Sequence, residues 1–394
     1  MILFKDKNEC CGCTACFNIC PVNAIKFEED NEGFLYPIII EDLCIECGQC
    51  EKVCPFKKYK RNNFQTKVFA VKHKDENVLY NSSSGGAFTA ISDYILNNNG
   101  IVYGASFDET LKVIHTRAIN AEQRDKMRGS KYVQSYLGDC FKLVEKDLKE
   151  GRLVLFSGTP CMCAGLRNYL DKEYPSLILC DIICHGVSSP KLFHDFVEGI
   201  FKNSSIKQFS FRSKRNGWRG YNVYIKKDNK ESLNSLKSRT YALLYSKAVI
   251  IRPSCYNCKF TNFERPSDIT IGDFWGIEKC KPHMDDNKGV SLVLTNSEKG
   301  QNIFENIKGD IYFEESNKEE CLQHNLQRPT IASENRSRFF EDYSKRGFYY
   351  VAKKYTIYGF RNRCKHFTKR ALVYLLKRLG LYDFVKRIRE KSKN

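Results

Sequence analysis

The sequence predicts a chain of α+β and α/β character: a small cysteine-rich module at the amino end, a mixed α/β domain after it, and a basic helical tail. Three observations carry this expectation. A C-x2-C-x2-C-x3-C-P run occurs twice, with the same offset of 34 residues at every cysteine. After a polar linker, strand-like and helix-like segments alternate, the pattern of an α/β domain. Residues 344–394 hold 16 Lys and Arg against two acids, Asp383 and Glu390.

The composition bounds the rest. The chain has 394 residues, of which 42% are hydrophobic and 28% charged, enough apolar material for a packed core. Disordered, collagen-like and low-complexity classes are excluded. No apolar run approaches the roughly 18–20 residues of a membrane span, and the first residues, Met1-Ile-Leu-Phe-Lys-Asp-Lys, lack the apolar stretch of a secretory signal. The expectation is a cytoplasmic protein, with a peripheral place at the inner face of the membrane left open by its tail. The net charge of +18 is concentrated in that tail, so the body is close to neutral. No motif pairs the charge with base reading, and nucleic acid is not an expected partner.

Cysteine dominates. There are 19, and nine lie between Cys10 and Cys54. Their x2 spacing crowds thiols too closely for a disulfide framework, and reduced thiolates holding metal fit better. The two runs are Cys10, Cys13, Cys16, Cys20-Pro21 and Cys44, Cys47, Cys50, Cys54-Pro55. Three cysteines on one tight loop can cap three irons of a cubane, while the fourth turns away to the other cluster. One 4Fe-4S cluster is thus assigned to Cys10, Cys13, Cys16 and Cys54, the other to Cys44, Cys47, Cys50 and Cys20. Zinc knuckles need neither the third x2 step nor the trailing Cys-Pro. The segment resembles the bacterial two-cluster ferredoxins. Cys11 is surplus and reads as a free thiol. Ala24–Glu28 and Phe34–Ile40 read as a hairpin over the clusters, and 57–65 as the linker.

In the second module, Val68–Lys72 is strand-like, and Ser84-Gly85-Gly86 precede a helix ending at Asn97. Ile101–Phe107 and Val113–Ile119 read as a hairpin. Strand Arg152–Phe156 runs into Gly158-Thr159-Pro160, where Thr159 can cap and Pro160 open a helix to Leu170. Strand Leu177–Ile183 ends at Cys184-His185-Gly186, and a helix spans Pro190–Phe201. The Ser84-Gly85-Gly86 and Gly158-Thr159-Pro160 loops suit a phosphate, because small residues let the backbone approach and helix N-termini offer free N–H groups. Each taken alone is also an ordinary tight turn. Lys131 and Tyr132 can place a cation and a ring beside a cofactor; standing alone they are surface residues. Cys161, Cys184, Cys255 and Cys258 form a third thiol set for another cubane, with zinc as the rival. Cys163 and Cys180 lie near two of the four and stay open as ligands. Cys140, Cys280, Cys321 and Cys364 have no partner spacing and read as buried free thiols.

Together, Ser83-Ser-Gly-Gly86, Gly129-Ser-Lys-Tyr-Val-Gln-Ser135, Gly158-Thr-Pro-Cys161, Cys184-His-Gly186, Arg252-Pro-Ser-Cys-Tyr-Asn-Cys258 and Ser267-Asp-Ile-Thr-Ile-Gly-Asp-Phe-Trp-Gly276 occur in that order. The chain resembles the coenzyme F420 hydrogenase/dehydrogenase beta-subunit family, in the form with a fused amino-terminal two-cluster ferredoxin. The resemblance implies a ferredoxin domain over 1–60 and a flavin-binding mixed α/β domain over 66–330, holding FAD and a third 4Fe-4S cluster; the basic tail is 344–394. It implies that Ser84, Gly85, Gly86, Lys131, Tyr132, Gly158, Thr159 and Pro160 belong to the flavin site, with Lys131 the candidate for stabilising charge on the reduced ring. The implied activity is an oxidoreductase passing electrons between a ferredoxin-type external carrier and an unidentified hydride donor or acceptor. A flavin suits that exchange because it handles one electron or two. The second expectation is a non-catalytic electron-transfer adapter, tied to polysaccharide synthesis or to a membrane-surface complex.

In the tail, Leu372, Leu375, Leu376 and Leu379, then Leu381, Phe384, Val385 and Ile388, recur at helical spacing among basic residues, with Gly380 as a break. Three readings stand: an anchor on an anionic membrane surface, a dock for an acidic partner, or a helix packed on the body.

Overall fold

The two cysteine loops adopt one backbone conformation twice. Gly12 and Glu46 are left-handed (φ 69° and 53°), as are Thr14 and Gly48 (φ 63° and 70°), each pair separated by the repeat interval. Short helices Ala15–Ile19 and Gln49–Lys52 follow at once. Between them, Ile25–Glu29 and Leu35–Ile39 form an antiparallel hairpin, with Ile25 opposite Ile39. Its turn is set by Asp30, whose carboxylate accepts from the Glu32 and Phe34 backbone N–H groups at 3.0 and 2.9 Å, the side-chain turn expected of Asp. This computed structural model describes residues 3–59, 64–201, 206–220, 222–228 and 230–378.

The cysteine module lies against the larger domain. Cys13, Ala15, Val53 and Phe56 are buried among Leu137, Phe141, Tyr169 and Phe260. Phe34 and Tyr36 join a second cluster with Phe193 and Phe196. Polar ties cross the same seam: Asn18 Nδ2 donates to Gly138 O at 2.9 Å, and Ser189 Oγ to Gly33 O at 2.9 Å.

The larger domain is built on a mixed sheet of eight strands. Its order is Ile311–Ser316, Lys67–His73, Ser291–Thr295, Ile269–Asp273, Leu177–Ile182, Val154–Gly158, Ile101–Phe107 and Val113–Ala118. The four strands from Ile269–Asp273 to Ile101–Phe107 run parallel and the outer pairings are antiparallel. Parallel strands bury both faces, so their sequences are nearly continuous apolar runs such as Leu177-Ile-Leu-Cys180. Helices Ala87–Asn97 and Glu298–Ile307 cover one face through Ile91, Ile95, Ile303 and Phe304. Helices Cys140–Lys149 and Pro160–Leu170 cover the other, between the sheet and the cysteine module. The carboxyl ends of the parallel strands converge where Gly158, Ile182 and Asp273 meet, the position at which α/β folds bind ligands.

A second sheet of three strands, Ile206–Ser210, Tyr224–Lys227 and Lys230–Leu233, packs with helices Pro190–Phe201 and Leu236–Ser246 in an aromatic core. The helix Arg336–Tyr355, bent at Gly347, completes that core with Phe339, Phe340, Tyr343, Phe348 and Val351. The first part of the basic segment from 344 therefore lies on the body. Helix Phe360–Arg378 follows. The expected break at Gly380 and the apolar run from Leu381 onward lie outside the described residues. Among the described residues no helix is long and apolar enough to cross a membrane.

One buried ion pair ties the third thiol loop to the sheet. Arg265, next to the segment carrying Cys255 and Cys258, is 1% exposed and donates to Asp181 Oδ1 at 2.7 Å, to Phe260 O at 2.6 Å and to Ile182 O at 3.1 Å. Asp181 is itself fully buried. Removing one member of such a pair leaves an uncompensated charge, so Asp181→Ala is expected to cost about 3–5 kcal/mol, measured as a lowered urea midpoint.

Candidate metal centres and cofactor cavity

The loop conformation repeated in the first sixty residues brings the expected thiols together. Cys54 lies close enough to Cys10, Cys13 and Cys16 for its charge to act on all three. Burial is the main force pushing the Cys10 and Cys16 thiols up, and neighbouring sulfurs add to it. Cys20, Cys44, Cys47 and Cys50 line a separate hollow with Val22, Ala24, Ile25, Ile39 and Ile45. The Ala24 backbone N–H donates to Cys20 Sγ at 3.2 Å. Cys47 is exposed, as are Leu43 and Ile45, so this second set faces outward while the first faces the body.

Cys161, Cys184, Cys255 and Cys258 line a third hollow, brought there by separate turns and strand ends. Cys161 opens helix Pro160–Leu170, Cys184 follows strand Leu177–Ile182, and the 3-10 turn Pro253–Asn257 carries Cys255. Burial raises Cys184 strongly, with Cys255, Cys161 and Cys258 adding to it. Cys163 and Cys180 are fully buried elsewhere, in the cores on either face of the sheet. Cys11 is the unexpected member. It lines this hollow, and its thiol lies within hydrogen-bond reach of both Cys13 and Cys161, bridging the first and third sets. A surplus thiol beside a regular repeat gives no spacing signal for that position.

Above the third hollow lies a cavity of about 480 Å³ at the carboxyl ends of the parallel strands. Ser84, Gly86, Lys131, Tyr132, Gly158 and Thr159 line it. Gly85 and Pro160 do not. Gly85 is pressed against the sheet, where a Cβ would collide with the Val71 carbonyl and the Ser291 N–H. Pro160 lines the thiol hollow instead. Thr159 occupies the N-cap position, but its hydroxyl meets Cys161 Sγ at 3.1 Å. Helices Ala87–Asn97 and Pro160–Leu170 both begin at this cavity without a side-chain cap, which leaves N–H groups and a positive dipole end for an anion.

The cavity wall is held by polar contacts across the chain. Ser83 Oγ accepts from the Ser130 N–H at 2.8 Å, and Lys214 Nζ donates to Leu79 O at 2.7 Å and to Ser84 O. Lys131 Nζ donates to three backbone carbonyls, of Met127, Arg128 and Gly129, each at 3.1 Å. Burial pushes its ammonium down to about 7. His115 belongs to none of the sequence motifs. Its Nδ1 meets Ser135 Oγ at 2.7 Å and its Nε2 meets Ser157 O at 3.1 Å, and burial pushes it down to about 4, so it is neutral. On another side, Arg212 pairs with Asp273 at 3.1 Å and reaches the Tyr132 hydroxyl at 3.3 Å. Trp218 donates to Asp273 at 2.7 Å and stacks on Trp275 with centroids 4.9 Å apart. Trp275 remains 38% exposed. Thr159, Met162, Cys184, His185, Gly186, Val187 and Asn325 line both this cavity and the third thiol hollow, forming the wall between them.

Comparison with known proteins places these features. Residues 151–320 match the family described as the carboxyl terminus of the coenzyme F420 hydrogenase/dehydrogenase beta subunit, and residues 9–58 match the 4Fe-4S dicluster domain. An uncharacterized protein of Methanocaldococcus jannaschii is 26% identical over 341 residues, covering 76% of this chain and 86% of that protein. An uncharacterized ferredoxin of the same organism is 33% identical over 75 residues, covering 19% of this chain and 90% of the ferredoxin. A 7Fe ferredoxin of Hydrogenibacillus schlegelii is 34% identical over 64 residues, covering 16% of this chain and 76% of that protein. A solved chain from the F420-reducing NiFe hydrogenase complex of Methanosarcina barkeri aligns with 18% identity and a TM-score of 0.46, covering 75% of this chain and 92% of that one. The chain thus joins a 4Fe-4S dicluster domain, over residues 9–58, to a segment, over residues 151–320, that matches the carboxyl terminus of the coenzyme F420 hydrogenase/dehydrogenase beta subunit.

Proposed function

We propose that this chain is an iron–sulfur flavoprotein oxidoreductase that passes electrons between a ferredoxin-type carrier and a hydride donor or acceptor. The observation that carries the reading is the shared wall: one layer of residues, Cys184 and His185 among them, separates the third thiol set from the large cavity. A redox group on each side would be in close electronic contact.

The donor chemistry fits three 4Fe-4S clusters. Each set supplies four soft sulfur donors, and such ligands suit iron–sulfur centres. Cys10, Cys13, Cys16 and Cys54 would hold one; Cys20, Cys44, Cys47 and Cys50 the second; Cys161, Cys184, Cys255 and Cys258 the third. Ser84, Gly86, Gly158 and Thr159 would hold FAD by its phosphates at the two helix N-termini. Bound there, the flavin supplies the step between one-electron carriers and two-electron hydride chemistry. Lys131 has its N–H groups taken by carbonyls, so in its protonated form it would act on a bound ring through its charge. The Arg212–Asp273 pair and Trp275 border the same cavity, where they can orient a second, hydride-exchanging molecule. An external carrier meets the outward face of the second thiol set, beside exposed Leu43 and Ile45.

Protein purified without oxygen is expected to contain about twelve irons and one FAD per chain, by iron assay and flavin absorbance. Zinc in the thiol sites would overturn the reading, and iron without flavin would favour the adapter. Cys184→Ala is expected to lose about four irons, whereas Cys163→Ala and Cys180→Ala keep the full content; metal analysis reads this directly.

The tail is proposed to hold the protein at an anionic membrane surface. On helix Phe360–Arg378, Phe360, Phe367 and Leu375 recur on one side and are 75%, 60% and 53% exposed. The basic residues around them suit anionic headgroups. Full-length protein is expected to float with liposomes containing anionic lipid, and a chain lacking 360–394 is not; equal behaviour would remove the anchor.

A further inference from the structure

Arg252 is fully buried, and it sits where the first and third thiol sets approach each other. Its backbone opens the turn that carries Cys255. Its Nε donates to Cys10 O at 2.8 Å, one Nη to Gln134 Oε1 at 2.8 Å, and the other to Leu35 O at 3.1 Å and toward Cys10 Sγ at 3.7 Å. Its guanidinium lies over the Tyr36 ring, 4.1 Å from the centroid. Gln134 in turn donates to Cys11 O at 3.2 Å. Gly12 makes room for this packing, because a Cβ there would collide with Gln134 Nε2 and crowd the guanidinium.

A guanidinium is always charged, and a buried charge is costly without a partner of opposite sign. The ionisable groups that act most strongly on Arg252 are the sulfurs of Cys10, Cys11 and Cys255 and the Tyr36 hydroxyl, and Cys161 also feels its charge. A neutral thiol or phenol offers no countercharge. Thiolates ligating a metal do, and Cys10 and Cys255 belong to two different proposed sets.

We propose that Arg252 is a fixed interior cation, shared between the Cys10 and Cys255 thiolates, that makes the first ferredoxin cluster easier to reduce than the second. The inference rests on the reading that these thiols hold iron–sulfur clusters. Reduction adds one negative charge to a cluster. Arg252 stabilises that charge through its field and through an N–H directed at Cys10 sulfur. The hydrogen bonds of Arg252 reach Cys10 and Leu35 of the cysteine module, while Cys20, Cys44, Cys47 and Cys50 line a separate hollow. Electrons arriving at the exposed Cys47 side are thereby drawn inward. Arg252 is a positioning residue: it acts on potentials and keeps the first cysteine loop seated on the larger domain.

The test is a redox titration followed by electron paramagnetic resonance on the full chain, loaded with clusters without oxygen. In the wild type, the two clusters of the first sixty residues are expected to titrate in separate steps; one common step would overturn the proposal. In Arg252→Gln, the higher step is expected to move to lower potential, with about a tenfold smaller equilibrium constant for reduction, the size of one lost charge-assisted hydrogen bond. The step of the outward cluster stays in place, while the third cluster, whose Cys255 also faces Arg252, moves in the same direction as the first. Arg252→Lys keeps the charge without the planar fork and recovers part of the shift. Should the Gln variant lose iron, Arg252→Lys carries the same comparison with a smaller displacement of the same step. Loaded variants that titrate like the wild type would overturn the role of Arg252 and leave the functional reading intact. A wild type without cluster signals would instead overturn that reading.

Discussion

Sulfur buried away from water does not carry charge unless a cation lies beside it, and this constraint organises the three thiol sets. The Cys10, Cys16, Cys184, Cys255 and Cys258 thiols are all pushed up chiefly by burial, and Cys161 first by its contact with Cys11 and then by burial. Such groups would ligate metal only as thiolates, so on the proposed reading metal binding would be coupled to the packing of these loops. The apolar contacts of Val53, Phe56 and Ala15 with the larger domain then belong to the same equilibrium, because they require the cysteine loops to be closed.

The placement of the thiol sets gives the molecule a direction. One set faces outward, one faces the body, and the third lies beneath the cavity, with Cys11 bridging the inner two. The buried cations along this line differ in what balances them. Arg252 is set between two sulfur sets, while Arg265 is matched by Asp181 and Arg212 by Asp273. A cation whose facing groups are thiols would gain its balance from thiolates once they ligate metal. A cation paired with a carboxylate does not need them.

The cavity itself is prepared mainly by contacts within the protein. The donors of Lys131 are held by backbone carbonyls, Lys214 braces the Ser84 loop, and His115 is neutral between a hydroxyl and a carbonyl. Small residues and two uncapped helix N-termini form one part of the lining, and the Arg212–Asp273 pair with Trp275 forms another. That combination suits a large ligand bearing phosphate more than chemistry by a side-chain acid or base.

Features carried by short spacing were legible from the residues alone. The repeat interval specifies two loops of one conformation, seen in the matching left-handed residues 12, 14, 46 and 48. The helices Ala87–Asn97, Pro160–Leu170 and Pro190–Phe201 stand where their apolar periodicity and flanking Gly or Pro place them. The tertiary structure decided what depends on distant segments. Gly85 faces the sheet although its neighbours face the cavity, because strands Lys67–His73 and Ser291–Thr295 press on it. Thr159 spends its hydroxyl near Cys161 rather than on a cap. Cys163 and Cys180 turn into separate cores while Cys11 reaches the third set. Arg252 meets Cys10 across 242 positions of chain. Spacing encodes local backbone geometry, whose hydrogen bonds close within a few residues; which surplus thiol or buried cation meets which sulfur is settled only when the apolar faces of sheet, helices and cysteine module pack together.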